Sequence, residues 1–209
     1  MTVVALSATY GAGGNVVAPA LAERLGVPFV DRAIPVQVAE QLNVPVDDAE
    51  AHDEEASESL LDRLLRGFIG TDIGAPAPIP AETFTSEDFR RATEEVLLRQ
   101  ARTGEGVILG RAAVIVLRDD PTVLRVRLDG PVERRVRQAM RIGGVDEPTA
   151  RDTLRRLDRA HGDYARQFYG VDIRDCSLYH LVLDSTALDL EACVELILRV
   201  RLRVETPRT

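Results

Sequence analysis

Short apolar runs alternate with amphipathic segments along most of this chain. Val3 to Ala8 is apolar and rich in valine, which predicts a buried strand. After a glycine-rich turn, residues 15–25 predict a helix with Asn15 as its N-cap, so that Pro19 falls in the first turn, where its missing N–H costs little. Pro28 to Asp31 predicts a second strand. A strand, turn, helix and strand in this order are typical of a parallel sheet with right-handed crossovers.

The same alternation resumes beyond the middle of the chain. Residues 33–42 and 60–69 predict helices, but 44–85 is acidic at first and rich in proline and glycine later. We interpret 44–85 as an insertion suited to a substrate lid or a partner surface. The segments that follow predict helices at 86–103, 112–117, 131–142, 147–166 and 189–203, and strands at 107–109, 122–129 and 179–184. Five strands alternating with helices predict an α/β fold, a three-layer sandwich around a five-stranded parallel sheet in a single domain over 1–209.

The turn after the first strand carries the strongest chemical signal. Its candidate phosphate-binding residues are Gly11, Ala12, Gly13, Gly14, Asn15 and Val16. Glycines let a backbone wrap an anion, and the first N–H groups of a helix favour negative charge. The phosphate-loop pattern G-x-x-x-x-G-K-[ST] is met only in part, because Ala8 replaces its first glycine, Gly14 its lysine and Asn15 its hydroxyl residue. The loop predicts phosphate binding, and the alternative is a plain tight turn.

Composition narrows the choice of partners and of chemistry. All 26 basic residues are arginine, so we expect any cation on a phosphate to be arginine or a metal. A net charge of −8 argues against a nucleic-acid binder. The absence of a leader pattern or an apolar span, together with two cysteines interpreted as free thiols, predicts a cytoplasmic protein without a membrane partner. His52, His161 and His180 show no triad or metal-ligand spacing, so we interpret them as structural and predict no metal site.

Arginines at two places are candidates for phosphate contacts. Arg111 follows Gly110 where a predicted strand ends, at the sheet edge where ligands bind, although a surface role fits its position equally well. The segment 145–170 is rich in arginine, including Arg155, Arg156, Arg159 and Arg166. Such a helix suits a lid that stabilises phosphoryl transfer, and the alternative is a solvated helix with ordinary ion pairs.

Taken in order, these segments resemble the cytidylate kinases, and especially the divergent cytidylate kinase-like proteins. The resemblance rests on Tyr10 to Gly14, Leu25 to Asp31, Val107 to Arg111, Leu124 to Asp129 followed by Glu133, Arg134 and Arg137, and Leu183 to Leu188. It implies a nucleoside monophosphate kinase architecture of the P-loop type. ATP, Mg²⁺ and a pyrimidine monophosphate are the ligands that it implies, and a homodimer is a possible assembly.

The resemblance also implies roles for individual residues. The loop glycines would cradle phosphate, Arg111 would hold the acceptor phosphate, and Asp31 would lie near the acceptor. Arg156, Arg159 and Arg166 would be the catalytic arginines of the lid.

The chain also departs from the family's pattern. Gly14 stands where cytidylate kinases have lysine, and Leu109 and Ala112 stand where they have acids. Two hypotheses follow from the resemblance and its departures. The leading one is a nucleotide-binding phosphotransferase that moves a phosphoryl group from ATP to a nucleoside monophosphate or another small acceptor. The other is a nucleotide-binding sensor or partner protein that has lost turnover.

Overall fold

A computed structural model describes residues 3–31 and 86–204 of the chain. The two helices predicted at 33–42 and 60–69, and the insertion at 44–85, lie outside the described residues. The division of the chain into one domain with an insertion and a lid-like segment therefore stays a prediction.

Five parallel strands form one sheet at the centre of the described residues. They are β1 (Val3–Ala8), β2 (Phe29–Asp31), β3 (Gly106–Leu109), β4 (Val123–Asp129) and β5 (Leu181–Asp184), in the order β2-β3-β1-β4-β5. The central strand β1 pairs with β3 and β4, so that Val4 lies between Val107 and Leu124. All pairs are parallel, which confirms the predicted sheet.

Six helices lie in the parts of the chain that the structure describes. They are α1 (Gly14–Leu25), α2 (Ser86–Arg102), α3 (Arg111–Val116), α4 (Val132–Gly143), α5 (Glu147–Tyr169) and α6 (Leu190–Val204), and a 3₁₀ turn spans Cys176–Leu178. Helix α5 extends three residues beyond its predicted end, and Gly170 terminates it with a left-handed backbone. None of the helices in this part of the chain combines the length and the apolar character needed to cross a bilayer.

The start of α1 differs from the sequence prediction. Gly13, with φ of 76°, is the N-cap, and the helix begins at Gly14, so Asn15 is not the cap. Pro19 therefore lies inside the helix rather than in its first turn, where it removes one backbone hydrogen bond. Burial of Val17 and Leu21 against the sheet stabilises the helix despite this loss.

Alternate residues of β1 divide the core between the two faces of the sheet, as the period of two in a strand requires. Val3 and Ala5 belong to a buried cluster that includes residues of α2, α3 and α5. Val4 and Leu6 belong to a second cluster that includes residues of α1 and α6. Helices thus cover both faces, which confirms the three-layer sandwich. The carboxyl ends of β1, β3 and β4 meet at one edge, next to the glycine loop.

Candidate functional site

A cleft of about 360 Å³ lies at this edge of the sheet, above the glycine loop. Its lining comes from the loop and the end of β1 (Ala8, Thr9, Tyr10, Gly11, Gly13, Gly14 and Asn15), from the end of β3 (Leu109 and Gly110), from α4 (Ala139, Ile142 and Gly143) and from α5 (Leu157 and His161). Ligands of open α/β sheets bind outside the carboxyl ends of the strands, and this cleft has that position.

The glycines of the loop are required by close packing as well as by backbone shape. Gly11 has φ of 78°, and a Cβ at that position would overlap the carbonyl oxygen of Arg135. Gly13 has φ of 76°, and its Cβ would lie 2.7 Å from Cδ2 of Leu190. At Gly14 the added Cβ would lie 2.5 Å from Cβ of Ala8. The loop therefore packs tightly against β1, α4 and the start of α6.

Backbone donors of the loop are available to an anion. The N–H groups of Val16 and Val17 both donate to the carbonyl of Gly13, at 3.0 and 2.9 Å. In contrast, the N–H groups of Gly13, Gly14 and Asn15 have no backbone acceptor within 3–31 and 86–204. All three residues line the cleft at the N-terminus of a 12-residue helix, where the helix dipole favours negative charge.

A buried arginine holds the loop in place. Arg135 of α4 donates from Nη1 to the carbonyl of Tyr10 at 3.1 Å and to Oδ2 of Asp158 at 2.7 Å. Its Nε donates to the carbonyl of Gly130 at 2.9 Å. On the other side, Oγ of Ser185 donates to the carbonyl of Ala12 at 2.7 Å. These bonds connect the loop to α4, α5 and the turn after β5, so its conformation is set before any ligand binds.

Asp129, at the end of β4, is a second polar anchor beside the loop. Its Oδ1 accepts hydrogen bonds from Oγ1 of Thr9 at 2.8 Å and from the N–H of Gly130 at 2.9 Å. Its Oδ2 accepts from Nη2 of the buried Arg127 at 2.7 Å. Burial opposes ionisation of this carboxyl, but the bonds from Arg127, Gly130 and Thr9 outweigh it and lower the pKa of Asp129.

We expect Asp129→Asn to lower the free energy of unfolding, and to lower it most near neutral pH. The lowered pKa of Asp129 means that its contribution to stability is fully present above its unfolded pKa and is lost as pH falls through the folded value. The stability difference between wild type and variant should therefore shrink as pH falls from about 7 to about 3. Urea unfolding across this range measures the difference. Asp119→Asn, at an exposed carboxylate, is the control, and a difference for Asp129→Asn that does not vary with pH would contradict the assignment.

The structure places the predicted phosphate-loop residues in different environments. Gly11, Gly13, Gly14 and Asn15 line the cleft. Ala12 is fully buried beneath it, and Val16 is 39% exposed and does not line it. Direct contact with an anion is therefore open to four of the six residues, while Ala12 supports the loop from below.

The predicted arginines of α5 are not among the described residues that line the cleft. Arg156, Arg159 and Arg166 are exposed on α5, and the residues of α5 that line the cleft are Leu157 and His161. Arg111 begins α3 directly after the cleft residue Gly110. Asp31 ends β2 opposite Leu109 of β3, so its backbone lies at the same sheet edge. The roles assigned to these residues stay predictions.

Sequence reasoning interpreted His161 as structural and did not place it at the cleft, which its side chain lines. Nδ1 of His161 is buried and finds no hydrogen-bond partner in the described part of the chain. The available signal was its spacing of four residues from Leu157, which places both side chains on one face of a predicted helix. Arg135 and Asp129 were missed as well, because their partners lie far from them in sequence.

Comparison with known proteins gives a consistent family. The model of a family described as cytidylate kinase-like matches residues 3–187. A protein named cytidylate kinase from Pyrobaculum aerophilum is 25% identical over 197 residues, which cover 94% of this chain and 90% of that protein. Another of the same name, from Ignicoccus hospitalis, is 26% identical over 203 residues, covering 97% of this chain and all of the relative.

Solved structures share the fold at lower identity. An uncharacterized protein from Eubacterium ventriosum superimposes with a TM-score of 0.66 and 19% identity, over 96% of this chain and 98% of that one. A gluconokinase from Sinorhizobium meliloti has a TM-score of 0.51 and 16% identity, over 97% and 93%. At these identities the likeness concerns the fold alone, and it agrees with the predicted P-loop kinase type.

Proposed function

The chain belongs to the cytidylate kinase-like family, and on that premise we propose that it is a phosphotransferase that moves a phosphoryl group from ATP to a nucleoside monophosphate or another small acceptor. One observation carries the proposal. Gly13, Gly14 and Asn15 line the cleft at the start of α1, and their N–H groups have no backbone acceptor in the described residues. The full-length relatives named cytidylate kinase favour a pyrimidine monophosphate as acceptor. A cytoplasmic location is part of the proposal.

ATP fits the features of the cleft. Its phosphates are anionic, and the loop offers N–H donors without backbone acceptors in the described residues at a helix N-terminus. Glycine at position 11 lets the loop pack closely against α4, since any Cβ there would overlap the backbone of α4. We therefore assign phosphate binding to Gly11, Gly13, Gly14 and Asn15. The apolar side chains of Ile142 and Leu157 on the cleft walls would keep water away from the transferred group.

Mg²⁺ has weaker support from this chain. Within 3–31 and 86–204, three or more metal-ligating side chains do not come together anywhere. Asn15, at the position of the usual hydroxyl, offers a single amide oxygen. Mg²⁺ usually keeps several waters and is held largely by substrate phosphates, so we propose that it enters with ATP, and we assign no step to a metal held by the protein.

In the proposed reaction the protein acts through position and charge. Phosphoryl transfer needs little covalent chemistry from an enzyme, because most of the catalysis is alignment and stabilisation of spreading negative charge. The loop would bind the donor phosphates, and Arg111 would hold the acceptor phosphate at the neighbouring strand end. Arg156, Arg159 and Arg166 are not among the residues that line the cleft, and we propose that they move toward the phosphates when α5 closes as a lid.

The loss of lysine favours a second candidate function. Gly14 stands at the lysine position, and the whole chain of 209 residues has no lysine that could replace it. Loss of a single electrostatic group from a reaction site typically costs about two to three orders of magnitude in rate. A protein that binds a nucleotide without turning it over, as a sensor or partner protein, is consistent with this absence.

One experiment separates the two functions. The protein is mixed with ATP, Mg²⁺ and each of the common nucleoside monophosphates, and both ADP release and the shift in melting temperature are measured. ADP release that depends on one monophosphate would support the phosphotransferase and identify its acceptor. A thermal shift without ADP release would support the sensor. Neither signal with any nucleotide would contradict both, and the loop would then be a plain turn.

Arg111→Ala tests the acceptor site. Because a charged hydrogen bond to a phosphate contributes about 1.5–3 kcal/mol, we expect KM for the acceptor to rise about tenfold or more. ATP binding should remain within about twofold of wild type, since the loop is untouched. Steady-state kinetics with each substrate varied in turn measures both constants. Arg118→Ala is the matched control, because Arg118 is an exposed arginine two residues beyond the end of α3. An unchanged acceptor KM in Arg111→Ala would exclude the assignment.

A further inference from the structure

The imidazole of His161 lines the cleft. Among the described residues that line it, His161 is the only one whose side chain can carry a positive charge. It lies on α5, whereas the glycine loop lies between β1 and α1. The cleft that the proposed function assigns to phosphates is therefore lined both by the loop and by an imidazole.

The imidazole lacks a partner on one of its nitrogens. Nδ1 of His161 is inaccessible to solvent and makes no hydrogen bond to any described residue. A buried polar atom without a partner costs about 1–3 kcal/mol, so most such atoms in native proteins are bonded. Because Nδ1 has no accessible surface, an oxygen in the cleft cannot reach it. Nε2 is not among the buried atoms without a partner, so it is the nitrogen that an anionic oxygen in the cleft can contact.

The carboxylates close to His161 along α5 are bound to arginines. On its own helix, Asp158 is bound to Arg135 of α4 at 2.7 Å, and Asp163 lies 3.5 Å from Arg166. The loop contributes the phenol of Tyr10 to the cleft, and α4 contributes the uncharged Ala139, Ile142 and Gly143. From α3, Arg111 follows the cleft residue Gly110 and carries a further positive charge. Both carboxylates near His161 on α5 thus have arginine partners of their own.

We propose that His161 is a phosphate ligand of this cleft, and that its imidazolium form supplies there the positive charge that Gly14 cannot. This inference rests on the proposed function and adds to it a specific residue and a dependence on pH. Imidazole titrates near neutral pH, unlike lysine or arginine. A phosphate chain bound next to it stabilises the charged ring, so binding is accompanied by proton uptake and weakens as pH rises.

The test measures the Kd of Mg·ATP at about pH 6 and about pH 8, on either side of the ordinary pKa of histidine. Three proteins are compared: wild type, His161→Asn, which cannot titrate, and His161→Arg, which stays charged. Wild type should bind about tenfold more tightly at the lower pH than His161→Asn does, and the two should converge at the higher pH. His161→Arg should bind tightly at both. The ionisation of ATP itself is common to all three proteins, so the differences between them report on residue 161.

His180→Asn is the matched control, because Nδ1 of His180 accepts the backbone N–H of Arg125 at 3.2 Å and does not line the cleft. It should follow the pH dependence of wild type. Calorimetry in two buffers of different ionisation heat adds a second readout, proton uptake, which should be present in wild type and absent in His161→Arg. If His161→Asn does not fold, the pair of wild type and His161→Arg still decides the question through this uptake.

The outcomes separate the inference from the function beneath it. If wild type binds Mg·ATP but His161→Asn has the same affinity and pH dependence, the inference is wrong and the proposed function stands. If wild type and His161→Arg take up the same number of protons, the inference is also wrong. If wild type does not bind Mg·ATP at either pH, both are overturned.

Discussion

Gly11→Ala is expected to destabilise the protein by about 2–5 kcal/mol and to remove measurable ATP binding. The left-handed backbone at φ of 78° costs a residue with a Cβ about 1–2 kcal/mol. The new methyl would also overlap the carbonyl of Arg135, and overpacking of this kind costs about 1–3 kcal/mol more. The clash forces the loop and α4 apart, which moves the N–H groups of the cleft. Urea unfolding and titration with ATP measure the two effects.

Gly26→Ala is the matched control for this substitution. Gly26 also has a left-handed backbone, with φ of 63°, but an added Cβ would have no neighbour within 4 Å in the described structure. It should therefore show the backbone strain alone, about 1–2 kcal/mol, and leave ATP affinity unchanged. Equal stability losses in the two variants would show that the contact with Arg135 does not constrain the loop.

Gly14→Ala is expected to cost about 1–3 kcal/mol in wild type and little in an Ala8→Gly background. The Cβ added at Gly14 would lie 2.5 Å from Cβ of Ala8, so each methyl occupies the space that the other needs. Removing the methyl of Ala8 first should relieve the clash. The double-mutant cycle, measured by urea unfolding, should thus give a coupling energy of about 1 kcal/mol or more.

The same pair of positions allows a lysine to be introduced. Ala8→Gly/Gly14→Lys should bind ATP about tenfold more tightly than Ala8→Gly, because the new ammonium can reach the phosphates of a ligand in the cleft. Gly14→Lys alone should lose stability instead. Gly143→Ala is the control for the cycle, since its nearest neighbours are the methyl groups of Val145 at 4.0 Å and its effect should add simply to that of Ala8→Gly. Additive effects at Ala8 and Gly14 would contradict the contact.

Local pattern was enough to predict the fold. The valine-rich run of β1, the glycines that follow it and the apolar spacing of α1 are all encoded within a few residues of one another. The errors in the predicted bounds occurred at the ends of helices and strands, where tertiary contacts determine the last residue of an element. Helix α5 continues to Tyr169 because Phe168 and Tyr169 pack against the core beside Tyr164. Strand β5 begins at Leu181 rather than at Tyr179, because Tyr179 caps the 3₁₀ turn of Cys176–Leu178 and its N–H donates to the carbonyl of Cys176 at 3.1 Å.

Sequence reasoning predicted the glycine loop of the candidate site but not the residues that meet it from distant parts of the chain. Four residues of the glycine loop were predicted because a phosphate cradle is a local motif. Arg135 and Asp158 are 23 residues apart, and no short pattern predicts that they meet beneath the loop. The position of His161 at the cleft was not predicted for a related reason, because it depends on which face of α5 lines the cleft. The roles of Arg111, Arg156, Arg159 and Arg166 were implied by the family resemblance, and they stay predictions.

The contact between Ala8 and Gly14 also bears on how this loop can change over evolutionary time. The common phosphate loop has glycine at the first of these positions and lysine at the second, so this chain differs from it at both partners of one contact. A single substitution to lysine would pass through a strained intermediate, and a single substitution to glycine would leave a gap. Two changes are therefore needed to return, and the first gives no benefit alone. The clash at this contact therefore couples the two positions, so that a lysine at position 14 requires glycine at position 8.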